Sequence, residues 1–322
     1  MRLGEERIQD QEEQYTEEII SIFRKSLLKE YAQDRMLRRF HPKSHGLVRA
    51  QFTVQADIPE HLKQGLFAAP RTFNCWIRFS NAPPRPTADT KGSAKGIAIK
   101  VLDTGKPTLE KDILGSTQDF ILTTNSVLLP ATVKKYFHSM RALFGSPFHL
   151  LAHLLNPANW STLIRVSKGK IKTHNLLELQ YFSGTAYSMG TGQAVKWALE
   201  PHKKVSRLHK DLWHKDHLRL NLQQDLMDEA QYFNFGIQLQ EDAEREPIEN
   251  TGVQWHTPFV KLAEVKIDKQ IFDTIEIREK SEHMSFSPWH CMEEHRPLGG
   301  NNRVRRKVYK EMAALRLSLS KV

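Results

Sequence analysis

Apolar and polar positions divide the chain into a helical beginning, a strand-rich middle and a helical end. Residues from about 14 to 39 carry apolar side chains at three- and four-residue steps, which predicts an amphipathic helix. Seven later segments are rich in β-branched and aromatic residues, which predicts strands. These segments read LVRAQFTV, TFNCWIRFS, GIAIKVL, DFILTTNSVLL, GQAVKWAL, QYFNFGIQLQ and TPFVKLAEVKI.

The remaining segments indicate the fold class. Residues from about 130 to 180 predict helices, and a loop followed by a helix closes the chain. Several antiparallel strands with helices before and after them predict an α+β domain around a sheet or barrel. No internal repeat and no break in composition demands a second compact unit. We therefore divide the chain into an N-terminal helical extension, residues 1–35, and one domain, residues 36–322.

Composition and charge narrow the classes of protein. The 322 residues are 39% hydrophobic and 9% aromatic, which is enough for a packed core. The net charge of +10 is spread along the chain, with no long Lys/Arg tract and no recognised nucleic-acid-reading motif. We therefore expect no nucleic-acid partner, although the charge alone would also allow a basic nucleic-acid-binding protein. Attraction for an anionic cofactor or substrate is the favoured interpretation.

Cysteine spacing and hydrophobic runs bear on location. Cys75 and Cys291 form no CxxC or Cys/His zinc pattern, so neither a disulfide framework nor a zinc site is expected. The N-terminus is polar and no run of about 18 apolar residues occurs, so no signal peptide and no transmembrane segment are expected. A reducing, cytoplasmic location fits these features best.

The most apolar stretch, FHLLAHLLNPANWSTLIRV, covers residues 148–166. Asn156 and Pro157 interrupt it, so we expect an internal helical hairpin. Peripheral contact with a membrane surface, or with a lipid-like substrate, is the alternative for the same residues.

The segment NNRVRRKVYKEMAALR near the end of the chain carries candidate chemistry. On a helix it puts Arg305, Tyr309 and Arg316 on one stripe, because the offsets are close to one and three turns. A cation one turn away favours the charged form of a phenol and lowers its pKa by roughly one to three units. A phenolate binds metals, and tyrosine is one of the proximal ligands of haem iron. The alternative is a basic amphipathic helix whose tyrosine belongs to the core.

Three other segments carry residues that would complete a site opposite that stripe. RRFHPK, residues 38–43, resembles the distal-histidine segment of haem catalases. IRFSN, then ADT and GIAIK, resembles the strand, loop and strand that follow it in that family. FSPWHCMEEHRPLGGNNRVRRKVYKEM resembles the C-terminal segment of the small catalase-related proteins. The resemblance extends from about residue 36 to 318. It implies a catalase-like antiparallel β-barrel with flanking helices, and haem enclosed between the barrel and the C-terminal helix.

The resemblance implies which residues hold the cofactor. Tyr309 is then the axial ligand of the iron of haem b, and Arg305 is its charge partner. The arginines that match the propionate-binding residues of the family are Arg38, Arg78 and Arg316.

On the other side of the cofactor, the resemblance implies a distal base and a distal polar residue. His41 is the favoured base, because an arginine precedes it by three residues and HPK resembles the H-x-K of the family. His45 is its rival. Asn125 is the nearest match to the distal asparagine, and Thr123 or Thr124 is the alternative for that position.

The chain departs from the catalase pattern on this distal side. Leu128 and Leu129 replace two phenylalanines, and Phe40 stands where a small β-branched residue precedes the histidine in catalases. A more aliphatic pocket suits an organic or fatty-acid hydroperoxide. The implied enzyme is therefore a haem peroxidase, or a rearrangement enzyme for such hydroperoxides, with weak catalase activity. The alternatives are a small catalase that dismutes hydrogen peroxide and a haem-binding protein without turnover; the resemblance leaves self-association open.

Overall fold

The computed structural model describes residues 2–31, 36–202 and 212–319. The strands within these ranges are β1 (Ser44–Val54), β2 (Thr72–Asn81), β3 (Lys95–Val101), β4 (Gln118–Thr123), β5 (Tyr181–Phe182), β6 (Tyr187–Ser188), β7 (Ala194–Pro201), β8 (Gln231–Leu239) and β9 (Phe259–Ile267). The α-helices are α1 (Glu12–Glu30), α2 (Val133–Phe144), α3 (Pro147–Leu155), α4 (Trp160–Lys168), α5 (His217–Asp228), α6 (Ile275–His283) and α7 (Gly300–Leu319). Short 3-10 helices cover Glu60–Leu62, Gly65–Phe67, Pro157–Asn159 and Glu293–His295.

The strands close into a barrel. β1 pairs with β2 and β9, and antiparallel pairs continue from these strands to β5 on one side and β7 on the other. Tyr181 and Phe182 of β5 pair with Leu199 and Ala198 of β7, which joins the two ends of the sheet. The barrel therefore has eight strands, and β6 is a further short strand on β7. This confirms the predicted α+β fold with an antiparallel barrel and flanking helices.

Alternation along the strands fills the barrel with apolar side chains. In β2 the core residues are those predicted to share one face: Phe73, Cys75, Ile77 and Phe79. The rings of Phe52, Phe120 and Phe235 meet at the centre, with centroids 4.5–5.7 Å apart. Burying each such ring contributes about 1.5–3 kcal/mol. Arg78 lies on the opposite face of β2, so the outer surface of a rigid barrel carries the polar groups.

A second apolar cluster joins three helices. It contains buried side chains of α1, α2 and α7: Tyr15, Ile19, Phe23, Val133, Phe137, Met140, Val304 and Val308. Phe40 packs against this cluster, and its ring centroid lies 5.9 Å from those of Phe23 and Phe144. The helical layer therefore fixes α7 and the segment containing His41 relative to each other.

The first predicted helix is shorter than expected. α1 ends at Glu30, and residues 36–39 are not helical; residues 32–35 lie outside the described part. Arg39 instead folds back and donates to Ser26 Oγ (3.0 Å) and Glu30 Oε2 (2.8 Å) of α1. The prediction that the helix continues to residue 39 was wrong, because this return contact replaces further helical turns.

The segment 148–166 forms two helices joined by a short turn, which we call the α3–α4 hairpin, but these helices are not internal as predicted. α3 and α4 flank the 3-10 turn Pro157–Asn159, and neither helix has a buried residue. α3 packs on α2 and on that turn, which leaves most of its apolar surface uncovered. Within the described residues, no helix is both long and apolar enough to cross a membrane.

Candidate active site

The C-terminal helix α7 presents an arginine–tyrosine pair. Its first turn is fixed by Asn302, whose side-chain amide donates to the carbonyls of Ala186 (2.9 Å) and Leu298 (3.0 Å). Asn302 Oδ1 accepts a hydrogen bond from Arg305 Nη1 (3.0 Å), and Arg305 Nη2 donates to Tyr309 Oη (3.2 Å). The guanidinium is therefore held from one side and directed at the phenol oxygen on the other.

Two further phenols, those of Tyr136 and Tyr187, lie near the Arg305 guanidinium. Burial lowers the pKa of Arg305, but the phenols of Tyr309, Tyr187 and Tyr136 outweigh burial and raise it. Burial raises the pKa of Tyr136 and of Tyr187 above that of an ordinary phenol. These two phenols are therefore neutral at pH 7, and Tyr309 is the one that the guanidinium contacts directly.

His41 is held on the outer face of the barrel. Its backbone has φ +56°, and its carbonyl accepts a hydrogen bond from Arg78 Nη2 (3.0 Å). The imidazole packs on Gly96, where any Cβ would collide with the ring. Ser80 Oγ lies 2.9 Å from His41 Nδ1 and donates its own proton to the carbonyl of Gly96 (3.4 Å). In the tautomer that matches this arrangement, Nδ1–H donates to the Ser80 hydroxyl oxygen and the lone pair is on Nε2; in the other tautomer, the hydroxyl donates to Nδ1.

Electrostatics keeps this histidine in its basic form. Burial and the charges of Arg78, Arg305 and Arg38 lower the pKa of His41 to about 3. The imidazole is therefore neutral at pH 7 and can accept a proton. Since the charge of Arg305 contributes to this shift, α7 brings the arginine–tyrosine pair within electrostatic range of His41.

The structure brings His45, the rival base, into different surroundings. His45 is fully buried at the start of β1, with Nδ1 3.8 Å from Asp89 Oδ2. Burial lowers the pKa of His45 to about 4, against the opposing effects of the Asp89 charge and of a side-chain hydrogen bond with Asn81. The charge of Arg305 lowers the pKa of His41, but it is not among the main influences on the pKa of His45.

The candidates for the distal polar residue lie at the end of β4. Ser80, Gly96 and Thr123 are register partners across β2, β3 and β4, so Thr123 shares the face on which His41 packs. Asn125 follows in a turn, where its backbone N–H donates to Thr123 Oγ1 (3.2 Å). The Asn125 side chain lies against Gly169 at the end of α4. The assignment of Asn125 as the distal polar residue stays a prediction, with Thr123 nearer to the histidine.

The three predicted propionate-binding arginines converge on α6. Arg38 Nη1 pairs with Glu282 Oε2 (3.0 Å), and Arg78 Nη2 lies 3.8 Å from Glu282 Oε1. Arg316 donates to the backbone carbonyl of Glu282. Arg38 also donates to the carbonyls of Ser281 (2.8 Å) and Met284 (2.6 Å). Three guanidiniums from distant parts of the chain thus meet at Glu282, two at its carboxylate and one at its backbone carbonyl.

The arginine cluster contains a buried donor without a partner. Arg78 and Arg316 are buried, and burial lowers the pKa of Arg78 to about 9, with Arg38 adding to the shift and Glu282 opposing it. Arg78 Nε is buried and has no hydrogen-bond partner among the described residues. Such a buried donor beside two further guanidiniums suits the carboxylate groups of an anionic ligand. These residues therefore fit the propionates of a haem.

A second buried charge cluster, which we call the lysine cluster, lies nearby on the barrel. Lys100 Nζ contacts Asp119 Oδ1 (2.7 Å) and also bonds Asp112, and His290 Nδ1 lies 2.8 Å from Asp112 and 3.1 Å from Asp119. Burial lowers the pKa of His290, but hydrogen bonds to the two carboxylates outweigh it and raise the pKa to about 9. Two cations and two anions balance here. The cluster ties the loop before α7 to β3 and β4.

Two site residues were missed from the sequence. Ser80 continues the face of β2 that carries Arg78, so strand alternation could have identified it. Glu282 gave no usable signal, because it lies on a polar helix that was not predicted and is about 200 residues from Arg78 in sequence.

The barrel, its helical layer and the site define a class of protein, that of the catalase-like fold. A fungal catalase has a TM-score of 0.68 and 16% identity, over 91% of this chain and 62% of that chain. For catalase A from Saccharomyces cerevisiae the TM-score is 0.66 and the identity 15%, over 98% of this chain and 66% of that chain. A bacterial catalase has a TM-score of 0.65 and 15% identity, over 88% of this chain and 58% of that chain.

These comparisons concern the fold. The chain spans between 58% and 66% of the length of the three catalases. A scan against protein-family models gives no match, and a search of the curated proteins gives none either.

Proposed function

We propose that the chain binds haem b between the outer face of the barrel and α7, and that it turns over hydroperoxides. The proposal is carried by the neutral imidazole of His41, whose pKa the Arg305 charge lowers, and by the contact of that same arginine with Tyr309. Tyr309 would bind the iron, as tyrosine does in some haem proteins. The guanidiniums of Arg38, Arg78 and Arg316 would pair with the two propionates. The catalase-like fold supports the same interpretation.

The residues of the chain have distinct parts in the proposed reaction. A ferric haem, when bound, supplies the redox chemistry that cleaves an O–O bond. Ser80 holds Nδ1–H of His41, so Nε2 accepts the proton of the –OOH group and later gives it to the leaving oxygen. Such proton transfer contributes roughly 10²–10⁴-fold. Arg305 stabilises the negative charge of the Tyr309 phenolate, and Thr123 or Asn125 would hydrogen-bond the peroxide.

Organic or fatty-acid hydroperoxides are the proposed substrates, with hydrogen peroxide turned over more slowly. Leu128 and Leu129, both half-buried, stand where catalases have two phenylalanines, which favours a more aliphatic pocket. Peroxidase activity and rearrangement of the hydroperoxide are both compatible with the same proton transfer, and product analysis distinguishes them.

The spectrum of the haem-loaded protein tests the ligand. We expect Tyr309→Phe to abolish the tyrosinate-type spectrum, whereas Tyr136→Phe, which alters a neighbouring phenol, should leave it unchanged. An unchanged spectrum in Tyr309→Phe would exclude this tyrosine as the ligand. If the wild type shows no Soret band, the chain does not bind haem. The alternative of a basic nucleic-acid-binding protein would then be favoured.

Activity of the loaded protein tests the chemistry. His41→Ala should keep haem and lose cleavage of a fatty-acid hydroperoxide by roughly 10²-fold or more, and His45→Ala serves as the matched control. The opposite pattern would make His45 the base. Rapid turnover of hydrogen peroxide with no action on fatty-acid hydroperoxides would indicate a small catalase. Haem binding without turnover of either substrate would indicate a store or sensor.

A further inference from the structure

The α3–α4 hairpin concentrates exposed apolar surface. Within the described residues, 21 large apolar side chains are exposed; eight of them fall in the hairpin and a ninth, Leu143, lies at the end of α2 beside it. The nine are Leu143, Phe148, Leu150, Leu151, Leu154, Leu155, Trp160, Ile164 and Val166. Contiguous apolar surface of this kind marks an interaction site in a folded protein, whereas singly scattered apolar residues need no explanation.

The α3 helix itself has no polar face to turn to water. Its sequence PFHLLAHLL is apolar nearly all round, and none of its nine residues is buried. Helices with this pattern are normally covered, either by a protein core or by lipid. Phe148 is 74% exposed and Leu155 is 68% exposed, so no other part of the described chain covers them.

The charges along the segment that contains the hairpin all have one sign. Residues 120–177 contain no Asp or Glu, and they contain seven Lys or Arg residues. All seven are exposed: Lys134, Lys135, Arg141, Arg165, Lys168, Lys170 and Lys172. Since the whole chain has a net charge of +10, this region carries +7 and the rest only +3. The partner of the hairpin must therefore be apolar and anionic at once.

We propose that the α3–α4 hairpin docks on the surface of a membrane that contains anionic lipids. Acyl chains would take up the exposed apolar side chains, and anionic headgroups would meet the seven cations. Each helix has nine residues and is about 14 Å long, a length that lies in the membrane interface rather than across the roughly 30 Å core. Trp160, which is 53% exposed, has the amphipathic ring that favours this interface.

A second copy of the chain fits this surface less well. An isologous contact would place the same patch on both sides, and would therefore bring two sets of seven cations together. Like charges at an interface oppose association. The charge complementarity thus favours an anionic lipid surface over a homodimer.

Docking would place the membrane close to the candidate active site. The loop after α4 contacts the Asn125 side chain at Gly169 and bridges Ile171 to Ser93, just before β3. A hydroperoxide of a membrane lipid would then have a short path to the site. Only this consequence rests on the proposed function; docking itself requires neither haem nor peroxide.

Co-sedimentation of the full chain with vesicles tests the proposal, with and without haem. We expect binding to phosphatidylcholine vesicles that contain phosphatidylglycerol, and weak binding to phosphatidylcholine alone. Binding should weaken at about 1 M salt, where screening acts over about 3 Å. The triple variant Phe148→Ser/Leu151→Ser/Leu155→Ser should lose binding by about tenfold or more, because it removes inserted apolar area and keeps every charge.

A matched control has three equally exposed apolar residues elsewhere replaced, Ile113→Ser/Ile271→Ser/Ile275→Ser. This control should bind vesicles like the wild type. Tryptophan fluorescence gives a second readout, since the blue shift on binding should disappear in Trp160→Phe. No binding by the wild type, or equal loss in both triple variants, would overturn the proposal. Light scattering that shows a dimer dissociated by the first variant would instead assign the patch to self-association.

Discussion

Two buried charge clusters lie on the outside of the barrel, and they differ in how completely their polar atoms are paired. The lysine cluster pairs Lys100 and protonated His290 with Asp112 and Asp119. The arginine cluster brings Arg38 and Arg78 to the carboxylate of Glu282, and Arg316 to its backbone carbonyl. In the first cluster each charged group meets an opposite charge, whereas in the second Arg78 Nε has no hydrogen-bond partner among the described residues.

This difference separates a structural role from a ligand-binding role. In the lysine cluster each ionised group meets an opposite charge, so its desolvation is offset within the protein. In the arginine cluster Arg78 keeps an unpaired Nε, and its pKa is lowered to about 9 by burial and by Arg38. An anion that accepts a hydrogen bond from this Nε would satisfy it and stabilise the folded chain. The two clusters should therefore respond differently to the loss of one member and to added anions.

The largest expected effect is in the lysine cluster. Asp119→Asn keeps the shape of the side chain but leaves Lys100 and His290 with one carboxylate. We expect the free energy of unfolding to fall by about 3–5 kcal/mol, because an uncompensated charge stays buried. Urea denaturation measures this loss. Glu294→Gln, which breaks the exposed bridge to Lys106, is the control and should cost at most about 1 kcal/mol. Equal losses in the two variants would contradict a structural role.

The pH dependence of stability gives the next effect. The pKa of His290 is about 9 when folded and about 6.5 when unfolded, so the folded chain binds the extra proton between these values. Its contribution, roughly 3 kcal/mol, is present in full below pH 6.5 and is lost as the pH rises through 9. The difference in unfolding free energy between wild type and His290→Gln should therefore shrink from pH 6 to pH 9.5. A constant difference over that range would show that His290 is not charged in the folded protein.

The sequence predicted the elements with strong periodicity and missed those without it. The core face of β2 followed from alternation, because Phe79 and its partners must all point into the barrel. β5 and β6 have two residues each, which is too short for any pattern. α6, IEIREKSEH, is mostly polar and was missed, although Thr274 caps its first turn by accepting from the Ile277 N–H (3.3 Å).

The candidate site was predictable where local spacing determines geometry. Arg305 contacts Tyr309 because one helical turn separates them, and this follows from the sequence. Glu282 joins the arginine cluster only through tertiary packing, which no local pattern encodes. The apolar composition of 148–166 predicted burial, yet Leu155 is 68% exposed, because periodicity reports apolar character and not what covers it.

The smallest effect tests the arginine cluster without haem. Inorganic phosphate at about ten times its dissociation constant should stabilise the wild type by about 1.4 kcal/mol, if the cluster binds it. Arg78→Met should remove this increment, while Arg49→Met, an exposed arginine on the adjacent strand, should retain it. Thermal unfolding in phosphate and in chloride of equal ionic strength measures the difference. The exposed cations of α2 to α4 also attract phosphate, so the Arg78 variant is the decisive measurement. If phosphate stabilises Arg78→Met as much as the wild type, the buried cluster does not bind the anion. The contrast with the lysine cluster would then be wrong.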